Sequence, residues 1–314
     1  MLKHLLASVA LSTGIAHAAD SKGTFTDPAE AGADFKIQGE YVCNGVAAQV
    51  IALGDGKFRI VGFAGALPGS DESERRKETE GQLEGGKVVF TKDDVKGEIV
   101  GNEITAIDGA GAKFVLNRVE RKSPTLGAAP PAGAIILFDG TNADAWKNGK
   151  MDKDGNLQAG TVSKQDFGDC HLHIEFRTPF MPHARGQARG NSGVYLQDRH
   201  EVQVLDSFGL TGENNECGGI YSKHKPKVNM CFPPLSWQTY DIDYMAAKYD
   251  SDGKKSANAK LTVKHNGVLI HENAEVDAAT TAAGRKDGPD RGPIQLQNHG
   301  NPVVYRNIWL VEKQ

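Results

Sequence analysis

Apolar and polar residues alternate with a period of two in run after run of this chain. In HLHIEFRTPF, residues 171–180, Leu172, Ile174 and Phe176 share one parity, and His171, His173, Glu175 and Arg177 share the other. Side chains on a strand point to opposite faces in turn, so this pattern predicts a half-buried strand. HEVQVLD repeats it, with Val202 and Val204 against Glu201 and Gln203. Near the C-terminus, Ile294 and Leu296 oppose Gln295 and Gln297, and His299 follows in the turn. GVYLQ, QTYDIDYMAAKYD and AKLTVKHNGVLIHE add further strands, the last turning at Asn266-Gly267. No segment here holds a long 3.6-residue period. Short strands at this spacing predict an all-β sandwich of jelly-roll type.

The N-terminal part also reads as strands. VAAQVIALGDGKFRIVGFAG is two alternating runs around Gly54-Asp55-Gly56, a hairpin signal. Short runs punctuated by Gly-Asn and Asp-Gly continue to about residue 121, and the charge run SDESERRKETEG reads as a solvated loop. SPTLGAAPPAGA then forms a linker or a semi-extended strap between two bodies. The expected organisation is a signal peptide over 1–19, a small β domain over 20–122, a Pro/Ala/Gly linker over 123–134 and a jelly roll over 135–314.

The signal peptide rests on Lys3 and His4, the apolar stretch Leu5–Ile15 and the cleavage signal Ala16-His17-Ala18. The stretch is too short to span a membrane. The mature protein is therefore expected to be exported, periplasmic or extracellular. Hydrophobic residues make up 39% of the chain, enough for real cores. A net charge of −4 offers no footprint for nucleic acid. Export permits disulfides, and of Cys43, Cys170, Cys217 and Cys231 the pair Cys217–Cys231 flanks one Gly- and Pro-bearing loop. A bridge is expected there. Closely spaced cysteine pairs of the zinc-binding kind do not occur.

Three strands thus carry an unusual polar row: Glu175 and Arg177; Glu201 and Gln203, with Asp206 at the end; and Gln295, Gln297 and His299. These groups make directional or bidentate hydrogen bonds of the kind that sugar hydroxyl pairs require. If the strands are neighbours in one sheet, the rows converge on one floor. The alternative is a solvated sheet face with incidental ion pairs. Asn191-Ser192-Gly193 places small residues beside the row, where a ligand can approach closely. His171 and His173 with Glu175 are the candidate ligands for a divalent metal, without the spacing of a third dedicated ligand. DKDGN and DSDG read as turns and not as calcium loops. Ser192 lies outside any nucleophile elbow.

ILFDGTNADAWKNG, HIEFRTPF, GNSGVYLQDRHEVQVLDSFG, CGGIYSKHKPKVNMCFPPLSWQTYDIDY and GPIQLQNHGNPVVYRNIWL together resemble the 3-keto-disaccharide hydrolase domain family. The resemblance runs from about Ala134 to Lys313 and implies a concanavalin-A-like jelly roll. The preceding region resembles an N-terminal extension found in secreted members from planctomycete-type bacteria. The implied substrate is a glycoside whose C3 hydroxyl has been oxidised, which in turn implies a sugar 3-dehydrogenase upstream. A C3 ketone acidifies the C2 proton, so a base can remove it, the aglycone can leave from C1, and water can add back. Carried onto this chain, the resemblance implies His299 or Glu201 as base and Arg177 as the cation for the enolate oxygen. Glu175, Asn191, Ser192, Gln203, Asp206 and Gln297 are implied for substrate binding, with Asp206 orienting Arg177 or joining a metal site. Asn298 stands where many relatives carry Asp, which leaves His299 less activated. The competing reading is a non-catalytic, lectin-like module of the cell envelope. Aromatics are only 7% of the chain, few for a surface that stacks sugar rings, which favours chemistry.

Overall fold

A computed structural model describes residues 23–313; the expected signal peptide and its cleavage site lie outside the described residues. The chain folds into two β bodies. The first is a closed antiparallel barrel of β1 (Gly39–Cys43), β2 (Val46–Gly54), β3 (Lys57–Ala64), β4 (Glu74–Glu84), β5 (Lys87–Lys92), β6 (Val95–Val100), β7 (Glu103–Ile107) and β8 (Lys113–Val119). The Gly54-Asp55-Gly56 corner turns β2 into β3 with all three residues at positive φ. Alternation fills the barrel with Tyr41, Val50, Phe58, Val88, Ile99 and Leu116. The charge run falls largely on β4, a strand and not a loop, with mostly exposed side chains.

The second body is a sandwich. Its strands are β9 (Ile135–Phe138), β10 (Trp146–Lys147), β11 (Leu157–Gln158), β12 (Thr161–Phe167), β13 (Cys170–Arg177), β14 (Ser192–Leu196), β15 (His200–Val204), β16 (Gln238–Met245), β17 (Lys248–Tyr249), β18 (Lys255–Ala257), β19 (Ala259–His265), β20 (Val268–Val276), β21 (Gly292–Leu296) and β22 (Val304–Glu312). One sheet has five strands in the order β10-β12-β21-β14-β15. The other has seven: β11-β22-β13-β16-β19-β20, with β9 also on β22. Val194, Val202, Val204, Ile294 and Leu296 from the first meet Leu172, Ile174, Phe176, Ile242 and Leu310 from the second in one core. This is the jelly-roll-like arrangement that the alternation predicts. Asn266-Gly267 closes the β19–β20 hairpin at positive φ on both residues.

The two bodies are fastened together. Phe25 and Phe180 exchange backbone hydrogen bonds, and Phe35 meets Phe180 edge-on. Ile51, Val61 and Phe63 on the outside of the barrel pack on Phe208 of the sandwich. The connecting segment is a strap laid along the outer face of the seven-stranded sheet. Ser123 Oγ and Thr239 Oγ1 share a 2.6 Å hydrogen bond, Thr125 donates to Asp241, and Trp309 Nε1 donates to the Ala128 carbonyl.

Cys217 and Cys231 are free thiols, which corrects the expected bridge. Cys217 Sγ shares a hydrogen bond with Tyr240 Oη, and Cys231 Sγ donates to the Leu205 carbonyl. Their loop is pinned by other means: Asn229 Nδ2 donates to the carbonyls of Ser207 and Leu210.

Candidate active site

β14 lies between β15 and β21, so two of the three polar rows share one sheet and flank β14. In register, Tyr195 stands opposite Glu201 on one side and opposite Gln295 on the other. One step along, Gly193 stands opposite Gln203, and its carbonyl accepts the Gln297 N–H. The face away from the core therefore carries two cross-strand rows, Glu201–Tyr195–Gln295 and Gln203–Gly193–Gln297. Gly193 leaves the space that the Glu201 carboxyl occupies: a Cβ there would come within 2.2 Å of Glu201 Oε1.

Glu201 is 2% exposed. Tyr195 Oη donates to its Oε2 at 2.7 Å, and Gln297 Nε2 donates to Tyr195 Oη at 3.1 Å. Burial pushes the Glu201 carboxyl up, the Tyr195 hydrogen bond pulls it part of the way back, and it titrates at about 8. Among the described residues no cation pairs with it. The segment 280–281 closes one edge, where Thr280 Oγ1 accepts the Glu201 N–H. Gln203 Nε2 and Asn191 Nδ2 both donate to Gln187 Oε1. Three amide oxygens, Asn191 Oδ1, Gln203 Oε1 and Gln295 Oε1, are buried without a partner. Unpaired buried acceptors are costly and rare, and on one face they match the hydroxyl donors of a sugar.

The remaining expected residues lie elsewhere. Glu175 is on β13, in the opposite sheet, with Arg306, Asn307 and the Gly127 N–H all donating to its carboxylate beneath the strap. Arg177 ends the same strand, 5.0 Å from the Trp237 ring centroid. Ser192 has inward parity, and its Oγ bonds Tyr305 Oη and the Gln297 carbonyl. Asp206 pairs with Arg189, not Arg177, and Arg189 reaches the Ala52 carbonyl of the barrel. Leu205 breaks the alternation by turning into the core, which sends Asp206 toward the domain junction. His299 is exposed in the turn after β21, and no hydrogen bond or ion pair among the described residues holds it. Asn298 Oδ1 accepts the Gly300 N–H instead of orienting the histidine.

The candidate metal ligands are engaged. His171 bonds Asp243, and His173 bonds Asp241 while stacking on Trp309. Among the described residues, no group of three or more His, Cys, Asp or Glu is placed to hold a metal ion. Asp152 and Asp250 cap their own turns through Oδ1. Tyr195 and Gln187 are the site residues that the polar rows overlooked. Tyr195 shares parity with Asn191 and Gly193, and that parity was the available signal.

The fold is a β-sandwich with a polar floor on the outer face of its five-stranded sheet. Residues 133–311 match the family described as the 3-keto-alpha-glucoside-1,2-lyase-like domain, and the chain belongs to that family. A crystal structure of a protein from Parabacteroides distasonis, provisionally named a glycosyl hydrolase, is 34% identical over 58% of this chain and 85% of its own, with a TM-score of 0.53. A second such protein from that organism is 16% identical over 58% and 94%, with a TM-score of 0.40. No match was found among curated proteins.

Replacing Tyr195 by Phe removes the one interaction that lowers the Glu201 carboxyl. Its titration is expected to move above about 8, read from the carboxyl infrared band against pH.

Proposed function

We propose that the chain cleaves 3-keto-α-glucosides by elimination and rehydration on the Glu201 floor. The observation that carries this reading is a carboxyl, 2% exposed and hydrogen-bonded by Tyr195 Oη, set among unpaired amide oxygens; burial pushes it up to about 8. A general base works best when its pKa lies near the working pH. Glu201 takes the C2 proton, and the electrons of that bond enter the enolate. The enolate reforms the C3 ketone as the C1–oxygen bond breaks, and the aglycone oxygen takes a proton from water. The hydroxide so formed adds at C1, and C2 takes a proton from Glu201 after that carboxyl has exchanged with solvent, giving the free 3-keto sugar. Once protonated, Glu201 can donate to Tyr195 Oη, which frees the tyrosine proton to meet the enolate oxygen. Asn191, Gln203, Gln295 and Gln297 orient the hydroxyls. His299 stands on the turn that follows Gln297, and Glu201 takes the base role because it alone is built into the floor. The N-terminal signal reading places this activity outside the cytoplasm, downstream of a sugar 3-dehydrogenase.

The test is product formation from methyl 3-keto-α-glucoside and from methyl α-glucoside, each with and without a chelator. Turnover of the keto form alone is expected. Loss on chelation would add a divalent metal to the account. Turnover of neither, with saturable binding of a sugar, would move the protein to the lectin-like reading.

A further inference from the structure

A cavity of about 460 Å³ opens at the end of the sandwich where Arg177 emerges from β13. Arg177 and Glu201 belong to opposite sheets, and the cavity adjoins the end of the floor at Asn298, which follows Gln297, and at Asn301, whose Oδ1 accepts the Asn191 N–H. Its polar lining includes Asp152, Lys153, Asp154, Arg177, Thr178 and Asn298. Leu235, Pro302 and Val303 form an apolar wall, and Thr26 closes it from the segment preceding the barrel.

Two of these side chains have unused hydrogen-bonding capacity. Thr178 is 0% exposed, and its Oγ1 has no partner. Arg177 is half-buried over Trp237, and its guanidinium makes no hydrogen bond or ion pair among the described residues. An unsatisfied buried hydroxyl beside an unengaged guanidinium calls for a ligand. The charges decide which kind. Two carboxylates, Asp152 and Asp154, face two cations, Lys153 and Arg177, so the lining carries no net charge. An anion would meet the aspartates and a cation the arginine. A neutral ring with adjacent hydroxyls satisfies the guanidinium fork and Thr178, and lays its C–H face on Leu235 and Pro302. The volume falls in the usual range for small-ligand sites.

We infer that the cavity bounded by Arg177 and Thr178 is a second saccharide site, which holds a neutral mono- or disaccharide beside the end of the Glu201 floor. The inference does not rest on the reaction proposed for the floor, because the ligand is bound here and not transformed. The experiment is calorimetric titration of the full chain with methyl α-glucoside, maltose and trehalose, beside the variants Thr178→Val and Arg177→Gln. Saturable binding of at least one sugar is expected, weaker by about tenfold in Thr178→Val, the loss of one buried hydrogen bond. Arg177→Gln is expected to weaken it further. The melting temperature of Thr178→Val should equal or exceed that of the parent, since valine removes an unpaired hydroxyl and keeps the shape. Absence of binding by all three sugars, or binding that both substitutions leave unchanged, would overturn the assignment. Neither result depends on whether a 3-keto-glucoside is turned over.

Discussion

Replacing Glu201 by glutamine is expected to lower kcat on a 3-keto-glucoside by about 10²- to 10⁴-fold, the usual contribution of a positioned general base. Glutamine keeps the shape and can still accept from Tyr195, so the floor should stay assembled. The same variant makes a stability prediction of known sign. The Glu201 carboxyl is raised from 4.5 to about 8 in the folded protein. Between those values the folded state holds a proton that the unfolded chain has released. Stability from this group is therefore complete below 4.5 and is lost as pH rises toward about 8. The glutamine variant has no such loss. It should melt above the parent at pH 8 to 9 and close to it at pH 4.5. Melting curves across that window check the sign, and equal gaps at both ends would contradict the raised carboxyl. A variant that is inactive yet more stable at alkaline pH is the pattern of a site strained for function.

Replacing Glu175 by alanine is expected to give the larger structural effect. Glu175 is fully buried and collects Arg306, Asn307 and the Gly127 N–H, tying the strap to both β13 and β22. Breaking a buried pair typically costs 3–5 kcal/mol, and Arg306 is partly exposed, so about 2–4 kcal/mol is expected here. Burial alone would raise this carboxyl, but the nearby His173 and hydrogen bonds from Asn307, Gly127 and Arg306 outweigh it and hold it at about 2. Its stabilisation is present above the ordinary carboxylate value and is lost as pH falls toward about 2. Glu175→Ala should therefore fall well below the parent in urea at pH 7, with the gap narrowing in acid. Loss of keto-glucoside turnover with no loss of stability would instead put Glu175 in contact with substrate.

These two glutamates look alike in the sequence. Each alternates with core residues on a strand of mixed polar character, and period-two patterning assigned both correctly to the non-core face. The pattern carries no information on which sheet a strand joins or what covers its polar face. Glu175 lies under the strap, whereas Glu201 lies beside segment 280–281 among buried acceptors that have no hydrogen-bond partner. The jelly roll, the Asn266-Gly267 hairpin and the shared face of Glu201, Gln203, Gln295 and Gln297 were legible because each depends on local alternation or turn chemistry. Ser192 was misplaced although its parity was readable: Asn191 and Gly193 face out, so Ser192 faces in. Asp206 lay past the point where Leu205 breaks the alternation, and no local pattern reports such a break. The unbridged cysteines show that loop pinning was assigned to sulfur when Asn229 does that work.

In elimination the bond to the aglycone breaks only after the C2 proton has left. The direct measurement is the isotope at C2 of the product when methyl 3-keto-α-glucoside is turned over in deuterium oxide, read by NMR at early times. Elimination and rehydration predict deuterium at C2, with the rate of its appearance collapsing in Glu201→Gln. Product that keeps protium at C2 while the glycoside is cleaved at an undiminished rate would contradict the account.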